Sequence, residues 1–220
     1  HRRQRQMCIR DRDCAPAVHA PLCVWSDHLG SLTWKNIYKT HCYQVNIPMR
    51  IAITGHKRGI GRAFADALSD RGHSIVGISR SDGENIRRVE HTASIIEPCD
   101  VFINNAISQY AQTELLFEVW HRWNDSMQAR QIWNISTRVC ERHEDKQIRG
   151  LTMRESMEYR NRKMALELAH EQLDAQPSNI TMTLIRPSSV RTQEWSDPEC
   201  PDADTYVNGV LEDLQQKGML

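Results

Sequence analysis

No apolar run in this 220-residue chain approaches the ~20 residues needed to cross a bilayer. The basic N-terminus HRRQRQ is followed by no apolar stretch of the kind a secretory leader carries. Net charge is missing as well: 28 Lys and Arg balance 28 Asp and Glu. A zero balance argues against a chain devoted to wrapping nucleic acid or coating an anionic membrane. The seven cysteines show neither paired C-x-x-C spacing nor the density of a disulfide framework. We therefore expect a reducing, cytoplasmic protein with no structural metal and no membrane or nucleic-acid partner. What is present, 40% hydrophobic and 25% charged residues, suffices for one packed domain.

The zero charge conceals an asymmetry. Residues 1–48 carry Arg2, Arg3, Arg5, Arg10, Arg12, Lys35 and Lys39 against Asp11, Asp13 and Asp27, hence +4, which leaves −4 for residues 49–220. Residues 1–48 follow no sustained period of 3.6 or 2. The stretch QMCIRDRD resembles translated sequencing-adapter read-through. Cys8, Cys14, Cys23 and His28 lack zinc-ligand spacing, and three N-terminal arginines are few for a phosphate-binding tail. We expect a disordered or non-native arm over 1–48, a natural start at Met49, and one domain over 49–220.

From Met49 the pattern alternates. Strands are expected at Arg50–Thr54, Ser74–Ser79, Asp100–Asn104, Gln131–Ser136 and Asn179–Ile185. Helices are expected at Ile60–Arg71, Ile86–Glu97, Gln112–Trp123, Thr152–Ala175 and Ala203–Gln216. Such alternation with short connections predicts an α/β doubly wound parallel sheet of Rossmann type, with about six strands.

Thr54-Gly55-His56-Lys57-Arg58-Gly59-Ile60-Gly61 joins the first strand to the first helix. Glycines here permit a tight turn, a close approach of backbone to a pyrophosphate, and close helix–strand packing. The helix then points its free N–H groups at the phosphates. No G-K-[ST] follows, so this is not a Walker loop. The second strand ends Ile78-Ser79-Arg80-Ser81, without the carboxylate that would bind a ribose 2′-hydroxyl. Arg80, flanked by Arg58, suits a 2′-phosphate and favours NADP(H), with NAD(H) still open; Asp82 just beyond is the counter-signal.

With these motifs in order, the chain from Met49 to about Thr192 resembles the short-chain dehydrogenase/reductases. The resemblance rests on Thr54–Gly61, Asn104-Asn105-Ala106-Ile107, Asn134-Ile135-Ser136-Thr137, Tyr159-Arg160-Asn161-Arg162-Lys163 and Pro187-Ser188-Ser189-Val190-Arg191-Thr192. It implies hydride transfer between a nicotinamide and a carbonyl or alcohol carbon of a small molecule. Tyr159 becomes the general acid/base, Lys163 the cation that lowers its pKa and binds the nicotinamide ribose, and Thr137 or Ser136 the orienting hydroxyl. Cofactor contacts are expected from Thr54, Gly55, Arg58, Gly59, Ile60, Gly61, Arg80, Asn104, Ala106, Lys163, Val190 and Thr192. Gln112 is a candidate second support for Lys163, and Asn85 a candidate adenine contact. Ile107, Ser188 and Thr137 depart from the family's usual residues. They keep a non-catalytic NADP(H)-binding sensor or scaffold module as the alternative. Arg138, Glu141, Arg142, His143, Glu144, Asp145 and Lys146 mark an exposed charged loop. Pairing through the Tyr–Lys helix leaves a homo-oligomer open.

Overall fold

The computed structural model describes residues 47–126, 128–140, 147–192 and 199–220. They belong to one compact unit, Val45–Leu220. Of the expected arm over 1–48, residues 1–46, with Cys8, Cys14, Cys23 and Cys42, lie outside the described residues, as does the expected charged loop apart from Arg138, which sits in a 3₁₀ turn, Arg138–Cys140.

Five parallel strands form the sheet: β1 (Arg50–Thr54), β2 (Ser74–Ile78), β3 (Val101–Asn104), β4 (Arg130–Ile135) and β5 (Ile180–Ile185). Five helices alternate with them: α1 (Gly59–Asp70), α2 (Val89–Ile96), α3 (Ala111–Asn124), α4 (Met153–Asp174) and α5 (Ala203–Gln216). The strand order is β2-β1-β3-β4-β5. The expected count of about six strands is thus corrected to five among the described residues. In the common dinucleotide-binding order a further strand lies outside β2. Here residues 79–100 hold a 3₁₀ turn (Arg80–Asp82) and α2, which leads straight back to the central β3. That length accommodates one helical return and no additional strand.

The period-2 alternation of the strands divides the core in two. Ile51, Ile53, Val101, Ile103, Trp133 and Ile135 face α1 and α5, where they meet Phe64, Leu68, Val207 and Leu211. Ala52, Phe102, Ile132, Ile180 and Met182 face the opposite layer of α2, α3 and α4, against Ile96, Leu115, Trp123 and Leu166. Each fully buried Leu or Phe in these layers contributes roughly 2–3 kcal/mol. The sheet is therefore covered on both sides, as a parallel sheet requires.

Element ends follow local chemistry. Thr152 and Glu155 form a reciprocal capping box at the start of α4, and the Asp202 carboxylate caps α5. Helix α2 begins at Val89, three residues after the expected Ile86. Asn85 Oδ1 accepts from Arg87 N–H at 3.1 Å, and Arg88 N–H bonds Asn85 O, so a turn takes the place of the first helical residues. Helix α1 has no side-chain cap at all. Its first N–H groups face the crevice between β1 and β3. This is the topological switch point, where the chain leaves β1 first for β2 and later for β3 on the other side.

Candidate functional site

The glycine turn owes its shape to backbone geometry. Gly59 has φ 52°, a left-handed conformation that side chains resist, and Thr192 lies directly over it, 3.3 Å from where a Cβ would stand. A Cβ on Gly61 would fall 2.4 Å from Gly55 O and 2.5 Å from Asn105 Nδ2, so only glycine lets α1 begin this close to β1. Thr54 closes the turn from below. Its Oγ1 accepts from the N–H groups of Asn105 (2.9 Å) and Ala106 (3.0 Å), while Asn105 Nδ2 donates to Thr54 O. The motif after β3 is thereby stitched to the motif after β1. The left-handed residue of the β3–α3 loop is Gln109 (φ 52°), not Ile107. The chain places its sharp bend two residues later than the usual glycine would.

Thr54, Gly55, Gly59, Ile60, Gly61, Asn104, Ala106 and Thr192 are thus gathered at one end of the sheet. Ile60, Val190, Ile107, Ile135, Thr137, Tyr159 and Lys163 line a cleft of about 210 Å³ there. Arg80 projects from the end of β2, exposed, and its guanidinium has no partner among the described residues. Arg58 is also exposed, just before the second glycine. The Asp82 carboxylate is turned back onto the glycine turn, 3.1 Å from Lys57 Nζ and 3.5 Å from His56 Nε2. The His56 ring packs flat against Gly77 of β2, in space that any side chain there would occupy.

On α4, Tyr159 and Lys163 stand one turn apart and point the same way. Thr137 is buried and lines the same cleft as Tyr159, and its hydroxyl accepts from Val139 N–H at 3.3 Å. The neighbouring Ser136 hydroxyl is committed elsewhere: it donates to Glu167 Oε1, and Glu167 in turn holds Arg186 through two hydrogen bonds. Burial pushes the Tyr159 phenol above its ordinary pKa of 10.0, opposed in part by the neighbouring Thr137 hydroxyl. The expected depression by Lys163 is not what governs Tyr159 in this state. Lys163 itself is held below the usual lysine range, at about 8, because burial penalises its ammonium.

Lys163 is 3 % exposed, and its Nζ donates to Ile135 O at 2.7 Å and Gln112 Oε1 at 3.0 Å. An ammonium has three donors, so one remains for the cleft. Gln112 is anchored in turn, its Nε2 donating to Asn104 O (2.7 Å) and Ile135 O (3.1 Å). Asn85 stands apart from this cluster, occupied with its own turn. Three participants were given no role by the sequence: the buried Asn134 and His170, and the half-buried Glu167. Each is joined to the site only through three-dimensional neighbours; Asn134 opens the motif Asn134-Ile135-Ser136-Thr137, but nothing local to it points to His170.

No protein-family model and no curated protein matches the sequence. Solved structures do match. A short-chain dehydrogenase from Burkholderia cenocepacia J2315, in complex with NADP, superposes with a TM-score of 0.58 at 16% identity, over 76% of this chain and 84% of that one. The protein has the short-chain dehydrogenase fold. The bulky-bulky ketone specific alcohol dehydrogenase from Comamonas testosteroni gives a TM-score of 0.60 at 20% identity, over 79% and 85%. The 3-alpha-hydroxysteroid dehydrogenase from Pseudomonas sp. B-0831, complexed with NADH, gives 0.56 at 15%, over 74% and 88%. Among the described residues no helix is long and apolar enough to cross a membrane, and no His/Cys/Asp/Glu group could hold a metal ion.

Proposed function

We propose that this protein is an NADP(H)-dependent oxidoreductase acting on a small carbonyl or alcohol substrate. One observation carries the reading: Tyr159, Thr137 and Lys163 line a single cleft at the switch point, beside an uncapped helix that begins in a glycine turn. The glycine turn fits a dinucleotide, because Gly59 and Gly61 hold the backbone where side chains would obstruct. Thr54, Gly55, Arg58, Gly59, Ile60, Gly61, Asn104, Ala106, Val190 and Thr192 would hold that cofactor along the end of the sheet. When bound, its nicotinamide supplies or takes up the hydride.

The rest falls to the chain's own groups. Tyr159 gives a proton to the carbonyl oxygen in reduction, or takes one from the alcohol in oxidation. Thr137, the hydroxyl beside it, orients that oxygen; Ser136 is tied to Glu167 and serves the scaffold. Lys163 directs its remaining N–H toward the cleft and supplies the positive charge that favours the phenolate once substrate and cofactor arrive. Two arrangements support NADP(H) over NAD(H). Asp82, the acid nearest the end of β2, is paired with Lys57 Nζ, and Arg80 stands exposed where a 2′-phosphate needs a bidentate partner.

The test is purified protein with NADPH and a panel of ketones and aldehydes, following absorbance of the reduced nicotinamide. Turnover that disappears in Tyr159→Phe supports the reading. NADPH binding with no turnover on any carbonyl would instead select the sensor or scaffold alternative. We further infer a single domain from Met49 onward and a cytoplasmic setting, and leave pairing through α4 to a sedimentation measurement.

A further inference from the structure

A chain of buried amides runs from the site to His170. Asn104 Nδ2 donates to Gln112 O (3.0 Å) and to Asn134 Oδ1 (2.9 Å), and Asn134 Nδ2 lies 3.1 Å from His170 Nδ1. All four residues are at least nine-tenths buried. The direction of this chain is fixed at one end. A backbone carbonyl only accepts, so Gln112 O decides which end of the Asn104 amide is the NH₂ group. That NH₂ then requires the oxygen of Asn134, and Asn134 must turn its own NH₂ toward the ring. His170 Nδ1 therefore carries a lone pair, and the ring is neutral with its proton on Nε2.

Protonation cannot be absorbed. An Nδ1–H would meet the Asn134 NH₂ donor to donor. Turning the Asn134 amide over sets it against the Asn104 NH₂ instead. Turning Asn104 over as well deprives Gln112 O of its donor and removes one of the two bonds that tie the end of β3 to Gln112 in the first turn of α3. That turn is where Gln112 holds Lys163. His170 also follows Lys163 by two helical turns on the buried face of α4. The two residues pin α4 at two points, Lys163 to Gln112 and Ile135 O, His170 to Asn134.

We propose that neutral His170 is a positioning residue for the Tyr159–Lys163 pair, and that its protonation loosens the amide chain and switches the site off in acid. The proposal rests on the oxidoreductase reading above. His170 can be reached by solvent protons, since it lines a second cleft, about 590 Å³, with Glu167, Glu171, Asp174 and Arg186. Three of these facing groups are carboxylates of α4, which favour the imidazolium; Arg186, beyond β5, and burial oppose it, and β4 presents the neutral Asn134. Burial dominates, and the ring titrates below its ordinary 6.5.

The experiment is ¹⁵N NMR of the imidazoles in the full chain, paired with pH profiles of NADPH-dependent carbonyl reduction. At about pH 7.5, above the ordinary histidine range, His170 should show an unprotonated Nδ1 and a protonated Nε2. Activity should fall on the acid side at the midpoint the ring displays. His170→Asn keeps an acceptor for Asn134 but cannot gain a proton. It should stay within roughly twofold of wild type at neutral pH and lose that acid limb. His170→Leu leaves a buried donor unpaired and should lose about tenfold at every pH. A proton on Nδ1 at neutral pH, or the same acid limb in His170→Asn, overturns the proposal. Failure of the underlying reading looks different: the expected tautomer in a wild-type chain that turns over no carbonyl retires the oxidoreductase assignment and the role of His170 together. The wrong tautomer with full turnover retires His170 alone.

Discussion

Lys163 Nζ donates to Gln112 Oε1 at 3.0 Å, and this contact joins α4 to α3 inside the protein. The ammonium is almost fully buried, so it depends on the few acceptors it has. A hydrogen bond to a charged group is worth about 1.5–3 kcal/mol, and an orphaned buried partner costs more than a neutral bond gains. Gln112→Leu removes one acceptor from Lys163 and one donor from Asn104 O and Ile135 O together. We expect it to lower unfolding stability by about 3 kcal/mol in urea. A loss of under ~1 kcal/mol, the size of an ordinary surface change, would mean that water or another group replaces the amide.

The adjacent hydroxyls of Ser136 and Thr137 should behave oppositely. Thr137→Val keeps shape and removes the hydroxyl beside Tyr159, so turnover should fall on the order of a hundredfold with cofactor affinity little changed. Ser136→Ala removes only the tie to Glu167. It should retain most turnover and show its effect in thermal stability. Steady-state kinetics of both variants checks this, and a Ser136→Ala variant as crippled as Thr137→Val would reassign the orienting role.

This division was not readable from residue types. Both residues carry a hydroxyl, and the choice depends on Glu167, 31 positions from Ser136 in the chain. The features that were legible are local. Ile51, Ile53 and Ala52 announce their faces by alternation, and Gly59 and Gly61 announce a turn between strand and helix. The extra strand was an overreach because strand count depends on how the chain returns after β2. That return is set by the turn at Asn85, whose side chain competes with the helix start. The resemblance pointed to Gln112 as a support for Lys163, but that the amide bonds the ammonium directly, across 51 residues, shows only in the fold. Asn134 and His170 were illegible for the same reason: a polar residue inside a strand or helix reveals its partner only when the fold brings the two together.

Cofactor choice is testable at Arg80. It is exposed and lies at the end of β2, while Asp82 is engaged by Lys57. Arg80→Ala should weaken NADPH by about tenfold, one lost charge-assisted pair in solvent, and leave NADH nearly unchanged. Lys57→Ala releases Asp82 and should shift preference further toward NADH. Equilibrium binding of both reduced cofactors reads the two effects. Equal losses for NADPH and NADH in Arg80→Ala would count against a 2′-phosphate at this position.

Alkaline pH should separate activity from stability. In the folded protein Lys163 loses its proton near about 8, against 10.5 for an unburied lysine. Between those values the unfolded chain binds more protons than the folded one, so this residue's contribution to stability rises with pH across the window. Below about 8 the folded protein carries a charged, buried ammonium and that contribution is absent. The site needs the ammonium, so in the cofactor-free enzyme its support for Tyr159 is lost over the interval in which Lys163 becomes less costly to bury. Turnover should therefore decline above about pH 8, while the stability difference between wild type and Lys163→Met moves in favour of wild type. Paired pH–rate and urea-unfolding series from neutral pH upward measure both slopes. The opposite slope, with wild type losing stability relative to Lys163→Met as activity falls, would show that the folded protein holds this proton more tightly than the unfolded chain and that folding raises the lysine's pKa instead of lowering it.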